Sequence, residues 1–143
     1  MSGGAPTPRE LVDDEMCFAC GRRNPDGLHL EFESNDDGVA TSIVFQKRYQ
    51  GYRDVVHGGL VSTILDEAMV TLLNRRGILA VTAELTVRFL APVPVGERVD
   101  VSARLTDHRG KLYGVAAAAT LEDGTVAATG VSRCVAVGTL DKA

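Results

Sequence analysis

A histidine followed by two glycines, with an aspartate about two helical turns further on among apolar residues, is the combination in this sequence best suited to chemistry. His57-Gly58-Gly59 leads into Leu60-Val61-Ser62-Thr63-Ile64-Leu65-Asp66-Glu67-Ala68-Met69. Leu60, Ile64, Ala68 and Leu72 form one four-residue ladder, and Val61, Leu65, Met69 and Leu73 form another beside it. That spacing predicts a core helix within Val56 to Asn74, packed under a sheet. At about 100° per residue, Asp66 projects between Val70 and Leu73 at the edge of the apolar stripe, while Thr63, Glu67 and Asn74 gather on the other flank. A carboxylate so placed is expected to lose hydration, which opposes ionisation and makes the ionised form a better base. Gly58, at the helix start, leaves its N–H without an intrahelical acceptor near the positive end of the macrodipole. Such a donor can polarise a carbonyl oxygen or hold an oxyanion. The two glycines equally suit a plain tight turn, and His57 at that point equally suits a backbone hydrogen bond.

A second group with chemical potential is Cys17-Phe18-Ala19-Cys20. Its spacing fits zinc or redox chemistry, but structural zinc takes four ligands and no second such pair follows. Cys134 and the three histidines are scattered. Two thiols packing a loop is therefore the expectation, with no metal, although scattered ligands can converge in space.

The elements that must position these groups read mainly as strand and turn. Residues 1–16 are expected to be a flexible segment, with a short helical turn over Glu10 to Met16, and residues 17–143 one domain. Asn24-Pro25-Asp26-Gly27 marks a tight turn. Leu28, Leu30 and Phe32 then alternate with His29, Glu31 and Glu33, predicting a half-buried strand that turns at Asn35-Asp36-Asp37-Gly38 into a second over Val39 to Gln46. After the helix come strands over Ala80 to Leu90, from Val99, over Leu112 to Leu121 and over Thr125 to Val137. Ala91-Pro92-Val93-Pro94 ends the first of these, because proline donates nothing to a ladder. The class is α+β, one long helix against about six antiparallel strands, whose open edges invite pairing with another chain.

At 143 residues and 45% hydrophobic content, the chain can bury one sizeable core. A net charge of −4 without long basic runs argues against nucleic acid as the partner. No apolar run approaches the roughly 20 residues of a membrane span, and the N-terminus lacks a signal-peptide core. A cytoplasmic protein with no membrane partner is expected, and three cysteines without a disulfide framework suit that compartment.

With these residues in place, the chain resembles the hotdog-fold thioesterases, particularly the PaaI-like acyl-CoA thioesterase branch of phenylacetate pathways. Besides His57-Gly58-Gly59 and Asp66, the resemblance covers the Cys17 to Leu30 opening, Gln50-Gly51-Tyr52, and the Thr-x-x-Leu-x-Val-x-Phe strand from Thr82 with its Pro-Val-Pro exit, spanning roughly residues 17–137. It implies that the Gly58 N–H polarises a thioester carbonyl, that Asp66 is general base or nucleophile, and that His57 supports the site. It further implies that Thr82 helps orient water, and makes Gly59, Gln50 and Asn24 candidates for contacting substrate; relatives carry an asparagine near the Gln50 position. No cofactor is implied beyond the coenzyme A of the substrate.

Geometry adds a constraint. Gly58 and Asp66 lie about 12 Å apart along one helix at 1.5 Å per residue, too far to serve one thioester carbon. The conflict vanishes if two helices run antiparallel across a homodimer, Gly58 of one chain facing Asp66 of the other, as the resemblance also implies; a dimer of dimers is the larger assembly. Glu67 projects about 100° away from Asp66 and cannot share its site. Two alternatives remain: a non-catalytic acyl-CoA-binding module, which would gain nothing from Asp66, and a hotdog dehydratase, which would want its histidine on an opposing loop rather than at the helix start.

Overall fold

A computed structural model describes residues 11–140. In chain order these form strands β1 (Glu33–Ser34) and β2 (Gly38–Val44), a 3-10 turn at Lys47–Tyr49, helix α1 (Gly58–Arg75), and strands β3 (Ile78–Phe89), β4 (Arg98–Arg109), β5 (Leu112–Leu121) and β6 (Val126–Thr139). All pairings are antiparallel, in one six-stranded sheet of order β1-β2-β4-β5-β6-β3. This is the expected α+β arrangement of a single helix against six strands.

The helix lies on the sheet through Val61, Ile64, Leu65, Ala68, Met69, Leu72 and Leu73, all buried. Opposite them β5 and β6 offer mainly small residues, Ala117, Ala119, Ala127 and Ala128. A Cβ at Gly130 would stand 3.3 Å from the Met69 methyl and 3.5 Å from the Leu65 Cβ. The helix can therefore sit close to the sheet, and the large side chains needed to fill the layer come from α1 itself. Gly77, at φ +82°, ends α1 in a left-handed turn whose N–H bonds Asn74 O at 3.0 Å, and the chain turns straight back into β3.

Two expected local elements are replaced. The strand over Leu28 to Glu33 shrinks to the two residues of β1. Its burial alternation is real, but Leu28 N–H bonds Phe18 O at 2.8 Å and Leu30 N–H bonds Ala19 O at 2.9 Å, so the segment pairs with the cysteine loop instead of a strand. His29, at φ +53°, also breaks the extended run. No helical turn forms over 11–16: Asp13 and Asp14 accept from the N–H groups of Glu15 and Met16, the local bonding that competes with a helix. Residues 1–10, including Glu10, lie outside the described part.

Because Ile64 is fully buried at the middle of the helix–sheet layer, Ile64→Ala should cost about 2–5 kcal/mol. Urea unfolding of both proteins measures this; equal midpoints would contradict the packing described.

Candidate active site

His57 caps α1. Its Nδ1 accepts from Gly59 N–H at 2.9 Å, and its carbonyl accepts from Leu60 and Val61 N–H at 2.9 and 3.2 Å. An accepting Nδ1 carries no proton, so in the neutral ring the proton is on Nε2. The cap also uses the Gly59 N–H, one of the proposed substrate contacts. The Gly58 N–H, by contrast, has no hydrogen-bond partner among the described residues.

Gly58 opens into a cleft of about 640 Å³, whose walls include Tyr52, Val56, Val61, Phe89 and Val93. The Phe89 ring lies so near that a Cβ at Gly58 would meet it at 3.4 Å. Phe89 and Tyr52 were not singled out as wall residues by sequence reasoning, although Phe89 closes the Thr-x-x-Leu-x-Val-x-Phe pattern. Behind the cleft, Gln50 holds the loop: its Oε1 accepts from Asp54 N–H at 3.0 Å and from Lys47 Nζ at 3.3 Å. That oxygen is thus committed to the loop, as is Asn24 elsewhere, whose Nδ2 donates to Met16 O and whose Oδ1 accepts from Asp26 N–H. Neither residue lines the Gly58 cleft.

Further along α1, half-buried Asp66 accepts through Oδ1 from Thr82 Oγ1 at 2.7 Å, so the structure joins these two predicted site residues directly. Its Oδ2 takes no hydrogen bond among the described residues. Thr82 and Phe89 are separated by an odd number of positions and would face opposite sides of a regular strand. A bulge between Thr82 and Glu84 shifts the register by one and brings Thr82 against Asp66 and Phe89 against Gly58. One strand therefore touches both ends of the candidate machinery, and Asp66 is absent from the cleft walls of its own chain.

The adjacent acid points elsewhere. Glu67 stands with Cys17 and Cys20, the three ligand-type atoms lying within 4.8 Å of one another. Burial, and then the Glu67 carboxylate, push the Cys20 thiol well above its ordinary pKa. Asp66 and Glu67 thus serve different surroundings, as their helical offset requires.

The thioesterase superfamily model matches residues 54–128, more than half of the chain, from the loop before His57 into β6. The chain belongs to the thioesterase superfamily. A search of curated proteins finds no match. Among solved structures, the E. coli PaaI protein of the phenylacetic acid degradation operon is similar with a TM-score of 0.74 at 18% identity, over 79% of this chain and 83% of that one. Another thioesterase superfamily protein has a TM-score of 0.80 at 24% identity, over 85% of this chain and 60% of that one. A hypothetical thioesterase from Streptococcus pneumoniae TIGR4, solved with coenzyme A, has a TM-score of 0.74 at 14% identity, over 78% and 91%. That protein has also been solved as an aspartate-to-alanine and a threonine-to-alanine variant. These likenesses make the fold the hotdog fold.

His57 acts on the helix through its ring, so His57→Ala should lower stability by about 1 kcal/mol, as loss of an N-cap does. His57→Asn, whose side chain can accept from Gly59 N–H, should restore most of it. Thermal melts of the three proteins test this; equal loss in both variants would rule out capping as the ring's contribution.

Proposed function

We propose that this chain is an acyl-CoA thioesterase, hydrolysing an acyl- or aryl-CoA to the free acid and coenzyme A, in a site shared between two subunits. The thioester carbonyl oxygen accepts from the Gly58 N–H, whose place at the helix start suits it to hold the developing oxyanion. Asp66 of the partner subunit activates water, or attacks the carbonyl carbon to give a mixed anhydride that water then cleaves. Thr82 fixes the carboxylate through Oδ1 and leaves Oδ2 to do this work.

The observation that carries the reading is the double contact of β3, Thr82 with Asp66 and Phe89 with Gly58. β3 is the last strand of the sheet, with Leu85, Phe89, Leu90 and neighbouring Val131 exposed. Two copies of such an edge pair antiparallel about a two-fold axis. With the axis near Leu85 and Thr86, Thr82 of one chain meets the Phe89 end of the other, and each Asp66 comes beside the partner's Gly58. The apolar cleft next to Gly58 then suits the acyl chain or aromatic ring. Coenzyme A in the pneumococcal relative and the origin of the E. coli relative in a phenylacetic acid operon support this substrate class. The aspartate and threonine varied in the pneumococcal protein have the same spacing as Asp66 and Thr82, which supports pairing these two in the mechanism.

Two variants remove the two halves separately. Gly58→Pro deletes the N–H at the first helical position, where proline is favoured, and His57, at ψ 131°, already has the conformation a following proline requires. It should lower kcat by about 10²–10³-fold while the chain stays folded. Asp66→Asn should lower kcat by at least about 10²-fold with little change in Tm. Unfolding and re-mixing the two inactive proteins should then restore about a quarter of wild-type activity, since half of random dimers are mixed and each has one of two sites intact. No recovery from correctly dimerised mixtures would show that the site is not shared.

A further inference from the structure

The Cys17–Cys20 loop and Glu67 take no part in the chemistry above, yet they converge although the loop and the core helix are well separated along the sequence. Two observations make the convergence unusual. First, the loop is wound tightly enough that Gly21 N–H bonds Cys17 O at 2.8 Å, and a Cβ at Gly21 would collide with Cys17 N and Glu15 O. The Cys-x-x-Cys-Gly order is thus what allows the loop to present both thiols on the same side. Second, Glu67 is carried there by the core helix, half-buried, and forms no salt bridge to Lys or Arg among the described residues. The half-buried carboxylate thus stands beside two half-buried thiols with no Lys or Arg in salt-bridge contact to offset its charge.

We infer that Cys17, Cys20 and Glu67 form a binding site for a zinc-type divalent cation, with the fourth coordination position open to water. The donor set is of the right kind, since zinc accepts thiolate sulfur and carboxylate oxygen in one tetrahedral shell. The size is right as well. Ligands at about 2.3 Å (sulfur) and 2.0–2.2 Å (oxygen) from a common centre stand roughly 3.5–3.8 Å apart. The three ligand atoms already lie within 4.8 Å of one another. On loading, the two S–H bonds give way to two metal–sulfur bonds and two protons pass to water, so binding weakens as pH falls. The cation would clamp the chain's opening loop onto α1 at the residue after Asp66. It would be a structural clamp and supply no step of hydrolysis.

Cobalt(II) reports such a site directly, because thiolate ligation produces an intense charge-transfer absorption and tetrahedral geometry strong visible bands. The full chain, reduced and freed of metal, should bind one cobalt(II) per chain with both signals, and zinc should displace it. The signals should vanish in the Cys17→Ser/Cys20→Ser double variant. Glu67→Gln should raise Kd for cobalt(II) by at least the 10–100-fold seen when even an outer-shell partner is lost. Asp66→Asn, on the other flank, should bind as the wild type does. Failure of the wild-type chain to develop the charge-transfer band overturns the site, whatever the variants do. A band that survives loss of both cysteines, or an unchanged Kd in Glu67→Gln, overturns the assigned ligands. This readout is independent of thioester hydrolysis, so either reading can fail alone.

Discussion

Everything in this molecule follows from seating one long helix close against a sheet. The interface has an unequal division of bulk: α1 supplies Ile64, Leu65, Met69, Leu72 and Leu73, and the strands beneath answer with Ala117, Ala119, Ala128 and Gly130. Close packing of this kind leaves α1 little freedom to roll, because rolling would press a leucine or methionine into a surface with no room to yield. The helix therefore has a defined azimuth. Fixed azimuth is what gives adjacent acids separate fates, Asp66 toward Thr82 and Glu67 toward the cysteine loop.

The second constraint is parity along β3. A strand presents alternate residues to one face, and Thr82 and Phe89 have the wrong separation to share it. The bulge after Thr82 corrects the count at a single place, so that Leu85, Val87 and Phe89 then share one side of the strand, Val87 packed against the core and Phe89 against Gly58. A local irregularity is thus the device that lets a regular strand serve both the carboxylate and the glycine end of the helix.

Much of this was legible in the residues. The two apolar ladders of α1 predicted both its extent and the divergence of Asp66 from Glu67, because 3.6-residue periodicity is a geometric fact about any helix. The turn residues Asn35-Asp36-Asp37-Gly38 located the hairpin between β1 and β2. The Thr-x-x-Leu-x-Val-x-Phe spacing, odd in its first gap and even afterwards, accords with the bulge, which the strand expected over Ala80 to Leu90 did not include. Harder to read was anything decided by contacts remote in sequence. Leu28 and Leu30 alternate like a strand, yet their N–H groups bond Phe18 and Ala19, a loop that no strand pattern predicts. The side-chain oxygens of Gln50 and Asn24, both taken as substrate contacts, are engaged by nearby backbone groups, a choice settled by turn geometry rather than residue type. The meeting of Glu67 with Cys17 and Cys20 joins residues far apart in the chain, so spacing alone could not disclose it.

The outer border of β3 has a consequence for how the protein comes into being. A newly made copy carries twelve residues of strand along that border, with backbone groups facing water and apolar side chains beside them, a ready template for any extended polypeptide nearby. Glu84 and Arg88 along it are its main safeguards, since burying a charge against a foreign strand is costly. For the dimer proposed above, assembly is thus a race between like and unlike strands, and crowding of nascent chains on one messenger would favour the like.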